Sequence, residues 1–328
     1  MAEQAMSLVN VEKQGRSGII CLNRPEAMNA LNLEMIHQID AALDQFQDDP
    51  AVFCVVLTSS SDRAFCAGGD MRRVRDLVLA EQLDEAEQFF REEYALIERI
   101  AGFPKPYISV IDGICMGGGM GLSVHGAYRI ATERALFAMP ETAIGFIPDV
   151  GGSYFLSRMP HHCGVWMGLT GASVRGFDAH GLGISTHMTA TESLPALMKA
   201  LCHSDHSIDD ILTDLCVTNV NQPSILMLSD TTGCFSPTSL STIAECLQKR
   251  PSKRKEAALK ALRKASPRSL LESLNLLRNG KHLTLSECLE QEFEAMRMAI
   301  RHPDLIEGVR AVLVDKDHSP NWHSCSNS

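Results

Sequence analysis

No run of apolar residues in this sequence approaches the roughly 18 that a membrane-crossing helix needs, so nothing in it reads as a membrane span. The 11 cysteines include no C-x-x-C pair, which removes the usual spacing of a zinc or redox site. Scattered and odd in number, they read as buried thiols. Positive charge is short as well. Lys and Arg number 30 against 40 Asp and Glu, a net charge of −10, which argues against nucleic-acid binding. The one basic stretch, Lys253-Arg254-Lys255 to Arg263-Lys264, reads as the solvated face of a helix. Met1 to Arg16 lacks the apolar core of a secretory signal, and with Glu3 and Glu12 it is too acidic for an organelle transit peptide. An intracellular chain is expected. Of the 12 histidines, only His161-His162 sit together, beside Cys163; adjacent residues make a poor cage, and no metal is expected.

What the sequence does have is rhythm. Up to about residue 190, short β-rich runs alternate with helical patterns: strands at Ile19–Leu22, Val52–Thr58 and Tyr107–Ile111, helices at Leu33–Phe46 and Leu83–Ile100. The alternation predicts an α/β layer structure. From about Leu194 the character changes. Cys202 to Pro251 is polar and its elements cannot be placed, and helical stretches follow. Thr284 and Glu287 predict a capping box for a helix burying Leu285, Leu289, Phe293, Met296 and Ile300. A boundary is placed near residue 195, separating 1–195 from a mostly helical 196–328.

Two glycine turns follow strands: Ala67-Gly68-Gly69-Asp70, and Gly117-Gly118-Gly119 with Gly121 just beyond. Such turns can aim backbone N–H groups at a ligand oxygen, and two of them converging on one carbonyl would make an oxyanion hole. Each alone fits tight strand-to-helix packing equally well. Neither has the G-x-G-x-x-G spacing or a following G-K-[ST], which disfavours a nucleotide phosphate loop. Further on, Glu141 and Asp149 each follow a proline in an otherwise apolar stretch, Phe137 to Gly152. Partial desolvation by Met139, Ile144 and Phe146 would raise a carboxylate toward a useful base, and two acids in different settings can divide acid and base roles. A solvated surface loop is the plain alternative.

Taken together, A-F-C-A-G-G-D at 64–70, G-x-x-M-G-G-G at 113–119, M-P-E-T at 139–142 and P-D-V-G-G at 148–152 resemble the enoyl-CoA hydratase/isomerase (crotonase) superfamily. The resemblance extends through Phe90–Tyr94, Leu122–Gly126, Leu169–Gly171 and Glu307–Asp317, and is weakest over 190–260. It implies an α/β spiral of ββα turns holding an acyl-CoA site in 1–195. It also implies roles: Ala67 and Gly118 N–H groups as the oxyanion hole, Ala67 to Asp70 as the coenzyme A turn, Glu141 as nucleophile or base, and Asp149 as the holder of a substrate hydroxyl or water. Glu93 falls where the family lines its substrate pocket. His125 and Tyr94 lie inside matching motifs and read as packing or support. Where a hydratase of this family has a catalytic Glu, this chain has Gly121; where a hydratase has glycine, it has Asp149. That exchange implies hydrolysis of a short branched 3-hydroxyacyl-CoA, expected to be the 3-hydroxyisobutyryl thioester of valine breakdown. No cofactor is implied beyond the coenzyme A carried by the substrate. The expected partner is that small molecule, not nucleic acid or membrane, and a homo-oligomer is compatible. The implied compartment is the mitochondrial matrix in a eukaryote or the cytoplasm in a bacterium. The rival readings are a hydratase or isomerase on the same fold, and a non-catalytic acyl-CoA-binding protein.

Overall fold

The computed structural model describes residues 7–217, 229–236 and 239–323. Its strands come in pairs that split between two sheets. The larger sheet has the order β1 (Val9–Gln14), β2 (Ser17–Leu22), β3 (Cys54–Ser59), β5 (Tyr107–Ile111), β7 (Tyr128–Thr132), β10 (His187–Thr189). The smaller is β4 (Ala64–Cys66), β6 (Ile114–Met116), β8 (Leu136–Ala138), β9 (Val174–Arg175). Thus β3-β4, β5-β6 and β7-β8 each send the first strand to one sheet and the second to the other, and a helical segment follows each pair. This is the expected ββα repeat. The functional motifs occupy the same place in each repeat, immediately after the second strand: Ala67–Gly69, Gly117–Gly119, and Glu141.

Two compact units are distinguished by their internal contacts: 1–69, 95–137 and 174–221 in the first; 70–94, 138–173 and 222–328 in the second. The first holds the larger sheet. Only β1–β2 is antiparallel; Ile19 lies opposite Val56, Val56 opposite Ile108 and Ile108 opposite Tyr128 in parallel register. Parallel strands covered on both faces are apolar throughout, which is why β5 is buried at every position. On one face Ile19, Val56, Ile108, Val110 and Ile130 form a core with Leu197, Leu201, Ile211 and Leu212, carried by the helices Leu194–His203 and Ile208–Leu215. The helix Leu33–Asp48 starts where the Asn32 side chain accepts from Met35 N–H at 2.9 Å, and it buries Met35, Ile36, Ile39, Leu43 and Phe46.

The second unit is helical. Beyond residue 195 every named element among the described residues is a helix, as the change in sequence character implies; the contact units divide the chain at other points. Helices run at Leu240–Gln248, Lys253–Lys264, Pro267–Gly280, Leu285–Ile300 and Pro303–Val309. The predicted capping box is present, with Thr284 Oγ1 accepting from Glu287 N–H and Glu287 Oε2 from Thr284 N–H. Two expectations need correction. The basic helix is not solvated throughout: Lys255 is buried and pairs with Asp230 at 3.1 Å, because it shares a face with Ala258 and Leu262. Nor are all the cysteines thiols. Cys234 and Cys246 lie 5.4 Å apart at Cα and form a disulfide, within reach because the 3₁₀ turn Gly233–Phe235 lies against the helix Leu240–Gln248 that carries Cys246. Cys54, Cys66, Cys115, Cys163, Cys202 and Cys288 are buried free thiols; Cys325 lies outside the described residues.

Candidate active site

In the first unit the two glycine turns do approach each other. A Cβ on Gly119 would lie 2.3 Å from the Cys66 carbonyl oxygen, and one on Gly68 would lie 3.7 Å from Gly118 N. Gly68 adopts φ +107° and Gly117 φ +47°, ψ −120°, conformations that glycine takes without a Cβ clash. Gly118 opens the helix Gly118–Val124. First-turn amides of a helix have no intrahelical acceptor, and Gly118 N–H meets none among the described residues. The first turn departs from expectation. Ala67 N–H donates to the Met28 carbonyl at 3.0 Å, and an amide already spent across the fold is not open to a substrate oxygen. Its neighbour Gly69 N–H has no acceptor among the described residues, so the open donor of this turn is Gly69. Gly121 lies buried in the helix Gly118–Val124 and brings no acid.

In the second unit Glu141 begins a short 3₁₀ turn, Glu141–Ile144, that Gly145 ends at φ +74°. Phe146 N–H closes onto the Glu141 carbonyl at 3.0 Å. Asp70, at the end of the Ala67–Asp70 turn, caps the helix Met71–Leu79 by accepting from Arg73 N–H at 3.2 Å. Glu93 sits on the helix Leu83–Ala101. Glu93, Glu141 and Asp149 are 2%, 7% and 4% exposed, so the solvated-loop alternative is excluded. The surroundings are apolar: Met139, Phe146, Ile147 and Val150 are buried, and Phe90 stacks on Phe146 with centroids 5.2 Å apart. Tyr94 donates its hydroxyl to Asp149 Oδ2 at 2.7 Å, while Glu93 Oε1 and Glu141 Oε2 are buried with no donor among the described residues.

Burial dominates the electrostatics. It pushes Glu141 well above the usual carboxylate range, helped by the Asp149 charge and then by Glu93. Glu93 is raised well above its ordinary value by burial and then by Asp149. Asp149 is pushed up to about 7 by burial, with the Tyr94 hydroxyl pulling the other way. A carboxyl whose pKa is raised toward neutrality is, when ionised, a stronger base and nucleophile than a solvated one.

A fourth carboxyl joins this cluster. Glu292, on the helix Leu285–Ile300, is fully buried. Gly151 N–H donates to its Oε2 at 2.7 Å, Ser153 N–H to its Oε1 at 2.8 Å, and the Ser153 hydroxyl also donates to Oε1. Burial raises it to about 8, against the Ser153 and Gly151 hydrogen bonds and with the Asp149 charge. Sequence reading missed it, although a signal was there. Glu292 falls in the apolar stripe itself, three residues after Leu289 and four before Met296, where a carboxylate faces the core. Tyr94, read as packing or support, proves to be the hydrogen-bond partner of Asp149.

Comparison with known proteins shows the family. A family model described as enoyl-CoA hydratase/isomerase matches residues 17–327. The chain belongs to that family. Among curated relatives, it is 42% identical over 323 residues to a Homo sapiens protein named 3-hydroxyisobutyryl-CoA hydrolase, mitochondrial, covering 96% of this chain and 83% of the relative. The Gallus gallus protein of the same name is 41% identical, covering 96% and 84%. A solved structure titled an enoyl-CoA hydratase from Rhodobacter sphaeroides superposes with a TM-score of 0.90 at 37% identity, covering 97% of this chain and 93% of that one. The crotonase-type α/β fold with its helical C-terminal part is thus shared, as the sequence motifs imply. No helix among the described residues is long and apolar enough to cross a membrane.

Proposed function

We propose that this chain is an acyl-CoA thioester hydrolase, cleaving 3-hydroxyisobutyryl-CoA to 3-hydroxyisobutyrate and coenzyme A in valine catabolism. The observation that carries the reading is the presence of two buried carboxyls, Glu141 and Asp149, whose basicity burial raises, together with the acid-free Gly121 in the position where hydratases of the family carry a catalytic Glu. Glu141 either attacks the thioester carbonyl, forming a mixed anhydride that water then opens, or takes a proton from the attacking water. On both routes a C–O bond replaces the C–S bond and one proton ends on the thiolate sulfur. Asp149, oriented by Tyr94, accepts the hydrogen bond of the substrate's 3-hydroxyl and positions the water. In the first unit, the open N–H groups of Gly118 and Gly69 are donors of the kind that stabilise an oxyanion. The reaction is redox-neutral and its protons move on carboxyls and water, so it calls for no cofactor. The relatives' names support a mitochondrial location.

A protein that only held acyl-CoA would have no use for acids kept from water at an energetic cost, which weighs against a non-catalytic reading. The decisive experiment follows free thiol and double-bond hydration together. Thiol release from 3-hydroxyisobutyryl-CoA, with negligible hydration of crotonyl-CoA, is expected. Fast hydration without release of coenzyme A would overturn the reading in favour of a hydratase.

A further inference from the structure

We propose that Glu292 is a positioning residue for the reaction: from the helix Leu285–Ile300 it holds the turn at Asp149–Ser153 by hydrogen bonds and so fixes the Asp149 carboxylate. The proposal deepens the hydrolase reading and rests on it. Three observations carry it. First, the turn is conformationally unusual. Val150, a β-branched residue, stands at φ +54°, and Gly151 at φ +77° follows. A left-handed valine persists only where its surroundings impose it. Second, the imposing contacts are here. Glu292 accepts from Gly151 N–H and Ser153 N–H, one and three residues beyond Val150, and the Ser153 hydroxyl adds a third donor to the same carboxyl.

Third, a simple capping role does not account for the arrangement. Helix N-termini are ordinarily capped by a local Ser, Thr, Asp or Asn. The cap residue of the helix Gly152–Arg158 is Gly151, without a side chain, and the acceptor comes instead from a residue 141 positions away. A fully buried carboxyl is costly wherever it is placed, and here it serves the turn that carries Asp149. The Asp149 side chain is held at its other end by Tyr94. Tyr94 and Glu292 therefore grip one catalytic turn, one by the side chain and one by the backbone. The titratable groups around Glu292 are Asp149, Tyr94 and Cys288, each coupled to it electrostatically.

Because the role runs through Asp149, it has a signature that loss of stability lacks. The full chain with Glu292→Gln is assayed for thiol release from 3-hydroxyisobutyryl-CoA and from isobutyryl-CoA, which lacks the hydroxyl. An amide can accept from one side of the turn but turns a donor toward the other. Turnover of the hydroxylated substrate should fall ~10- to 100-fold, the scale seen when a group orienting a functional residue is lost, with a clearly smaller loss on isobutyryl-CoA, which shares the water that Asp149 positions but lacks the hydroxyl. Adding Asp149→Asn should cost little beyond Asp149→Asn alone, since residues acting as one unit are non-additive. Should Glu292→Gln not fold, Ser153→Ala removes one of the three donors and should show the same selectivity at a smaller scale. Equal loss on both substrates, or additive loss in the double variant, overturns the proposal and leaves the hydrolase reading standing. A wild-type protein that releases no thiol from either substrate removes the hydrolase reading, and the proposal falls with it.

Discussion

Tyr94→Phe isolates a single hydrogen bond in the carboxyl cluster. The substitution removes one hydroxyl and keeps the ring, so the edge-on contacts to Phe90 and Phe293, both at 6.2 Å, are retained. Asp149 loses the buried donor at 2.7 Å that opposes its desolvation. A hydrogen bond to a charged group contributes about 1.5–3 kcal/mol, or roughly one to two pKa units at 1.36 kcal/mol per unit. Since Asp149 stands at about 7 in the folded protein, the variant should place it roughly at 8 to 9. At pH 7 the ionised fraction then drops from about a half to between about a tenth and a hundredth. Thiol release at pH 7 should fall ~5- to 50-fold. Raising the pH should restore it, because the form that is lost is the carboxylate. The assay is kcat/KM for 3-hydroxyisobutyryl-CoA across the alkaline range, where the position of the ascending limb reports the free enzyme's groups. Lower activity with an unmoved limb would refute the argument, since it would mean that the hydroxyl does not set the charge of Asp149.

Glu141→Gln keeps the size of the side chain and removes both nucleophile and base. Thiol release should fall at least ~10²-fold while the dissociation constant for acyl-CoA, measured by calorimetry, changes little; near-normal turnover in the folded variant would overturn the mechanism. Stability should depend on pH in the direction opposite to that of salt-bridged acids. Asp149 and Glu292 are raised in the folded state, from 3.8 to about 7 and from 4.5 to about 8, so the native protein binds more protons than the unfolded chain between those values. Their contribution is full below about pH 4 and is lost as pH rises through about 7 to 8, at most about 4 kcal/mol for Asp149. Denaturant midpoints should therefore decline from about pH 5 to pH 8 in the wild type and decline less in Asp149→Asn; equal slopes would show that the buried acid is not linked to folding.

Legibility in the sequence followed the range of the interactions. Where a local rule decides the outcome, the sequence was sufficient. The capping box at Thr284 and Glu287, the glycines at 68 and 117 that adopt left-handed backbone, and the alternating strands and helices all depend on residues within one turn or one strand. The Pro-Glu and Pro-Asp motifs likewise marked Glu141 and Asp149 as candidates, with a solvated loop as the alternative. What failed to show was settled by partners far along the chain. Ala67 looks like an open donor until Met28, 39 positions earlier, takes its N–H. Lys255 looks solvated until Asp230 meets it on the buried side. Glu292 lies in the apolar stripe of its helix, but its role is not visible until the 149–153 turn supplies its donors.

The same contrast explains why burial of the acids could be suspected from sequence but not decided. Met139, Ile144 and Phe146 lie near the carboxyls in the chain, yet the fold adds partners from elsewhere: Phe90, Glu93 and Tyr94 on a helix some fifty residues earlier, and Glu292, some hundred and forty later, hydrogen-bonded to the turn that follows Asp149. An apolar neighbourhood in sequence raises a pKa only if the fold closes over it. The second unit does so with two helices. One brings Glu93 and Tyr94, and the other brings Glu292 and Phe293, whose ring meets Tyr94 at 6.2 Å. Burial raises the pKa of each of these acids. Ionising them therefore costs the fold stability as pH rises, and the same raised basicity equips Glu141 and Asp149, once ionised, to act on a thioester.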